Sequence, residues 1–134
     1  MSKTIIEDTA FATLWYHPEK KIVHHEFHKF FYGEAFYAFL LKGTETMKKN
    51  GAKKWLSDDR KYPVLRNEDM SWALANWFPQ TVQAGWKYWA IVQPEAAIAK
   101  MNMEKVVETY AQAGIIAKLF STPDEALKWL ESQP

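Results

Sequence analysis

The sequence predicts an α/β chain in which antiparallel N-terminal strands are followed by parallel strands and four helices. Three observations predict it. Short β-branched and aromatic runs bounded by turn residues crowd the first thirty positions. Beyond them, apolar residues at helical spacing alternate with short apolar runs in the order α-β-α-β-α-β-α. The connections between these later elements suit right-handed crossovers, which join parallel neighbours in one sheet.

Ile5-Ile6, Ala12 to Tyr16 and Ile22 to His28 read as three strands, with Pro18-Glu19-Lys20-Lys21 turning the chain between the last two. From Phe30 to Lys49, Phe36, Phe39, Leu40 and Met47 recur at helical spacing, and Asn50-Gly51 supplies the left-handed stop. Lys53 to Ser57 is a strand, closed by the polar run Asp58-Asp59-Arg60-Lys61-Tyr62-Pro63. Asn67 is placed to cap a second helix, with Glu68 and Asp69 at the positive end of its dipole. Pro79 lacks an amide hydrogen and crowds the carbonyl four residues back, so the segment from Asn67 to Ala84 is expected to kink or break near Phe78. Trp86 to Gln93 follows as a strand, and Pro94 is assigned to the first turn of a helix ending at Gly114. Ile115 to Phe120 is the last strand. Thr122-Pro123-Asp124-Glu125 then combines a capping hydroxyl, a first-turn proline and a glutamate three residues past the cap, which marks a final helix carrying Ala126, Leu127 and Leu130.

The 134 residues are expected to form one domain, 1–134, since no linker-like run interrupts the pattern. The apolar share of 48% supplies ample core, and seven tryptophans exceed what packing alone requires. The chain has no cysteine, which removes disulfides and thiolate chemistry and fits a reducing compartment, so the expected location is the cytoplasm. The start, Met1-Ser2-Lys3-Thr4, lacks the pattern of a signal peptide, and no apolar run reaches the ~20 residues that span a bilayer. With 17 basic against 16 acidic residues and no dense basic stripe, nucleic-acid binding is not expected. Lys48-Lys49 and Lys53-Lys54 read as solvated charges at a helix end.

The element order β-β-β-α-β-α-β-α-β-α has company in the residues. Trp15-Tyr16-His17-Pro18, His25-Glu26-Phe27, Gly51-Ala52-Lys53-Lys54-Trp55-Leu56-Ser57-Asp58-Asp59, Trp77-Phe78-Pro79 and Gly85-Trp86-Lys87-Tyr88-Trp89-Ala90 together resemble the SpoIIAA-like family. That family groups STAS-type regulators with lipid-binding CRAL-TRIO-type domains. The resemblance implies a β/α superhelix of STAS-type topology with its helices largely on one side of the sheet. STAS regulators carry an Asp-Ser-Ser-Gly-type phosphoacceptor after the central strand. This chain has Asp58-Asp59-Arg60 and then Asn67-Glu68-Asp69-Met70-Ser71, so no matching serine carries over.

Ligands in open α/β sheets gather at the carboxyl ends of parallel strands, which here carry Ser57-Asp58-Asp59-Arg60, Gln93 and Ser121-Thr122. Asp58 and Asp59 are candidates to hold a cation or to act as a base, although solvated loop charges are the ordinary explanation. His24, Glu26 and His28 share one strand face, a pattern that zinc or iron could use; an exposed face decorated with polar residues explains it more simply, and no metal is assigned. His25 points the other way, with Val23 and Phe27, and reads as a hydrogen-bonded core histidine. His17 has no visible catalytic partner. Nucleotide-binding glycine motifs and the nucleophile-elbow serine motif are absent, and no cofactor is expected.

The aromatics are more telling. Trp72, Trp77 and Phe78, with Tyr32, Phe36, Tyr37 and Phe39, offer more apolar surface than one helix stripe buries, which suggests a pocket for a lipid-like or aromatic ligand or a self-association surface. The leading reading is therefore a noncatalytic binding or regulatory module. It would engage a small apolar ligand or a protein partner through Asp58, Asp59, Arg60, Trp72, Trp77 and Phe78, with homodimerisation as a further use of its surface. The alternative is a small acid-base enzyme, hydrolase-like, using Asp58 or Asp59 with a histidine.

Overall fold

A computed structural model describes residues 3–62 and 65–134. Met1, Ser2 and Pro63, on which parts of the sequence reading fall, lie outside them. The strands are β1 (Thr4–Asp8), β2 (Ala12–His17), β3 (Ile22–Phe27), β4 (Lys54–Asp58), β5 (Tyr88–Val92) and β6 (Ile116–Phe120). The helices are α1 (Gly33–Asn50), α2 (residues 67–83), α3 (Ala97–Gln112) and α4 (Pro123–Glu131). All six strands form one sheet in the order β1-β2-β3-β4-β5-β6, antiparallel up to β3 and parallel from there on. This is the α/β architecture that the alternating pattern predicts.

Three crossovers stepping in the same direction with the same hand must lie on the same side of the sheet. The packing agrees. Trp55, Trp89 and Ile91 face Phe36, Phe39, Leu40 and Met47 of α1, Ala73 and Trp77 of α2, and Met103, Val106 and Tyr110 of α3. The other face belongs to α4, whose Ala126 and Leu130 cover Ile22, Leu56, Tyr88, Ala90 and Val92. Alternation along each strand divides the apolar residues between these two cores.

The predicted helix ends have mixed outcomes. Gly51 takes φ +64°, and the amide of Ala52 reaches back to the Met47 carbonyl at 3.0 Å, as a left-handed helix stop requires. Thr122 caps α4, its hydroxyl oxygen accepting from the Glu125 amide at 3.3 Å. Asn67, by contrast, is the first helical residue rather than the cap. Arg66 occupies the cap position without a side-chain cap bond. Pro94 precedes α3 instead of entering its first turn, because the helix begins only at Ala97.

The kink or break expected near Phe78 coincides with a change of helix type. α2 runs on through Pro79 as α-helix at Asn67–Trp72, one π-helical stretch at Ala73–Trp77, and α-helix again at Phe78–Gln83. The Phe78 amide donates to the Ala73 carbonyl five residues back. The widened turn accommodates the proline ring, which would crowd a carbonyl in a regular α-helix.

Two contacts fix these helices. Gly43 of α1 lies against Trp55, so closely that a Cβ at this position would collide with the six-membered indole ring. Asp69 of α2 is fully buried and accepts two hydrogen bonds from Arg66, each 3.0 Å, and one from the Tyr37 hydroxyl at 2.8 Å. Burial alone would raise the Asp69 carboxyl. The hydrogen bonds from Arg66 and Tyr37 outweigh it, helped by the Gly33 amide, and hold the group below the usual carboxylate range. No helix among the described residues is long and apolar enough to cross a membrane.

Candidate binding cavity at the strand ends

Side chains of β4 alternate, so Trp55 and Ser57 face the three crossover helices while Leu56 and Asp58 face the opposite side. Asp59, just past the strand, returns to the helix side. β3 runs parallel in the register His25↔Ser57, which places His25 beside this row. The result is a buried hydrogen-bonded chain. Trp55 Nε1 donates to His25 Nδ1 at 3.0 Å, and His25 Nε2 lies 2.9 Å from Asp59 Oδ1. An indole nitrogen can only donate, so His25 Nδ1 must present its lone pair. That fixes His25 as the neutral tautomer, with its single proton on Nε2 and directed at the carboxylate.

Above this chain lies a cavity of about 50 Å³ between the sheet and the helices, bounded by His25, Ser57, Asp59, Trp77, Trp89 and Tyr110 among others. A smaller pocket shares Tyr62, Leu65, Met103 and Val106 with it and continues to Pro94 and Asn102. Most of the lining is aromatic or aliphatic. The polar exceptions are specific: Ser57 Oγ accepts from Trp89 Nε1 at 2.8 Å, and the Tyr62 hydroxyl donates to the Phe31 carbonyl at 2.6 Å. Burial pushes the Tyr62 and Tyr110 phenols well above their ordinary value, so both stay protonated at neutral pH. Trp77 Nε1 is buried and has no acceptor among the described residues. Buried N–H groups without a partner are rare, and each signals either strain or a missing acceptor.

The six residues singled out from the sequence do not converge. Asp59 and Trp77 both line the cavity. Asp58 faces the other side of the sheet, gripped in a two-pronged pair by Arg60 at 2.9 and 2.7 Å. Trp72 stacks on Tyr37 with centroids 4.1 Å apart, and Phe78 packs against Tyr110 at 4.5 Å. Sequence reading passed over Trp89, Tyr62 and Tyr110, and placed Ser57 at a ligand-gathering strand end without counting it among the six. For Ser57 a signal was there: a strand carrying Trp55 inward must also carry Ser57 inward.

On the other face, His24, Glu26 and His28 do share a side, and His28 Nδ1 lies 3.8 Å from Glu26, but each histidine has a further partner outside the trio. His17 Nε2 and His24 Nδ1 are 3.0 Å apart in a buried pair, and His28 Nε2 meets the Thr13 hydroxyl at 2.7 Å. Burial lowers the His17 imidazole, with Lys3 adding to it; burial and then His17 and Lys3 lower His24 further. Among the described residues no group of three His, Cys, Asp or Glu side chains is arranged to hold a metal ion. Comparisons with protein-family models, curated proteins and solved structures found no match to this chain.

Proposed function

We propose that the chain is a noncatalytic binding module of the SpoIIAA-like type that takes a small ligand of largely apolar surface into the cavity beside Trp77. The observation that carries this reading is the Trp77 indole N–H, buried without an acceptor among the described residues in the wall of a pocket that is otherwise mostly aromatic. A water needs on the order of 10–15 Å³ of such space, so a cavity of about 50 Å³ has room for roughly three to five non-hydrogen atoms. A lipid chain does not fit, and the ligand class narrows to small molecules.

The hydrolase-like alternative has less support. His25 spends one ring nitrogen on Trp55 and the other on Asp59, which leaves neither to take a proton from a nucleophile. Asp58 is tied to Arg60. A protein partner or a second copy of the chain is the second reading, favoured by Ile98 and Met101 of α3, which stand 73% and 59% exposed. The cytoplasmic location suggested by the absence of cysteine belongs to the same proposal.

Side-chain indole N–H signals give a direct test in uniformly ¹⁵N-labelled protein. Trp77→Phe identifies the Trp77 signal by its loss. Titration with tert-butanol should then shift that signal saturably. If the signal does not move, the cavity does not bind small ligands.

A further inference from the structure

At the other end of β4 from the cavity, where the parallel strands begin, basic side chains converge. The register Ile22↔Lys54 sets the β2–β3 turn beside the start of β4. Together with the end of α1 these segments enclose a surface pocket of about 220 Å³, lined by Lys20, Lys21, Gly51, Lys53, Lys54 and Pro134. Sequence reading treats Lys53-Lys54 as solvated charges. Lys53 is exposed, but Lys54 is only 6% exposed. Its Nζ donates to the Gln133 carbonyl at 2.8 Å, and among the described residues it has no other partner. An ammonium carries three N–H donors, so this neutral carbonyl satisfies one of them and cancels none of the charge. Burial and then Lys20 lower the Lys54 ammonium below its ordinary value, against Glu131, and Lys53 adds to the lowering.

Lysines beside the carboxyl ends of helices often do no more than offset the helix dipole. Here that role is too small. Both α1 and α4 end at this corner, and each terminus carries roughly half a negative charge. The α1 carbonyls also have partners of their own, Met47 in the Ala52 amide and Thr46 in the Asn50 side chain. Among the described residues no carboxylate, the terminal one of Pro134 included, forms an ion pair with any of the four lysines. Met1, Ser2, Pro63 and Val64, which lie outside that set, carry no acidic side chain. Even with Glu131 and the terminal carboxylate counted, positive charge is in excess and unpaired. Lys21 adds a second sign. Among the described residues it is the one non-glycine with a positive φ, +55°, a conformation that turns usually give to glycine or asparagine. Backbone strain of this kind clusters at ligand clamps.

The lining defines the anion. Lysine ammonium groups act as point charges that suit the several oxygens of a phosphate. No aromatic ring is present on which a nucleic-acid base could stack and, Pro134 apart, no apolar side chain to enter a bilayer. By the measure applied to the cavity, the pocket has room for about fifteen to twenty non-hydrogen atoms, a phosphate with a short carrier. Independently of the cavity beside Trp77, we infer that this pocket binds the phosphate group of a small soluble phosphate monoester, with Lys54 at its base and Lys20, Lys21 and Lys53 around its rim.

The test follows assigned backbone amides of the uniformly ¹⁵N-labelled full chain during titration with glycerol 1-phosphate and, separately, with acetate, at a constant ionic strength of about 0.15 M. The Gly51 and Lys54 amides should shift saturably with glycerol 1-phosphate, half-saturating at or below about 1 mM, and acetate should bind at least about tenfold more weakly. Lys54→Gln keeps a donor for the Gln133 carbonyl while removing the charge, and should weaken phosphate binding at least about fivefold. Lys20→Gln with Lys21→Gln, at two exposed positions, should weaken it at least about threefold. Half-saturation above about 1 mM, equal affinity for acetate, or unchanged affinity in folded Lys54→Gln overturns the inference. Should Lys54→Gln not fold, unchanged affinity in the exposed double variant overturns it instead. The Trp77 indole signal should stay in place throughout, so failure at this pocket leaves the cavity reading standing, and failure of that reading leaves this one.

Discussion

Gly43→Ala sets two effects of known size against each other. Alanine in the interior of a helix is favoured over glycine by about 1 kcal/mol. Gly43 lies in the middle of α1, where an exposed position would show that gain. Its Cβ would instead occupy space already filled by the Trp55 ring. Trp55 is fully buried, tethered through Nε1 to His25, and boxed by Trp77 at a centroid distance of 5.1 Å and Trp86 at 6.0 Å. Overpacking of this kind costs about 1–3 kcal/mol, and pulling the indole off His25 adds about 0.5–1.5 kcal/mol. Less the propensity gain, the net loss comes to about 0.5–3.5 kcal/mol. Urea unfolding monitored by tryptophan fluorescence measures it, and the Trp55 indole signal should move as its bond to His25 lengthens. A variant more stable than the parent by about 1 kcal/mol would show that α1 does not pack on Trp55 in this way.

Acid should weaken the fold through the His17–His24 pair. Both imidazoles are held below the ordinary histidine value when folded, so the unfolded chain binds more protons than the folded one as pH drops below about 6.5. Stability is therefore full above that pH and lost progressively below it, by about 1.4 kcal/mol for each unit of displacement. Urea midpoints between pH 7.5 and 5 should show the decline, and His17→Gln with His24→Gln should flatten it; an unchanged slope in the double variant would assign the effect elsewhere. Asp69→Asn should cost about 2–3 kcal/mol by the same assay, because it removes a charged acceptor from Arg66 and Tyr37 inside the protein. A loss under about 0.5 kcal/mol would mean that the network contributes little to the junction of α1 and α2.

Local chemistry made most of the fold legible. Asn50-Gly51 and Thr122-Pro123 mark helix limits because the signals act over four or five residues and need nothing from the rest of the chain. Period-two and helical patterns located all ten elements to within a few positions for the same reason. The middle of α2 was harder, since the proline argument assumes regular i to i−4 bonding and the helix escapes it by bonding Phe78 to Ala73. The cavity was only half legible. Asp58 and Asp59 are adjacent in sequence and so read as a pair, yet the pleat sends them to opposite faces of the sheet. His25 was recognisable as a hydrogen-bonded core histidine, but its partners lie 30 and 34 residues away and depend on the β3–β4 register. Periodicity alone does not supply that register.

The π-helical turn has a consequence for how α2 is used. A residue inserted into or removed from an α-helix rotates everything beyond it by about 100°. The widened turn works as an angular offset: it sets the azimuth of Trp77 independently of Trp72, so that one rod can lay an indole flat on Tyr37 and bring the next to the cavity. Shortening the stretch Ala73–Trp77 by a single residue would leave the helix helical and its anchor at Tyr37 untouched, while every side chain downstream came round to face the wrong neighbour.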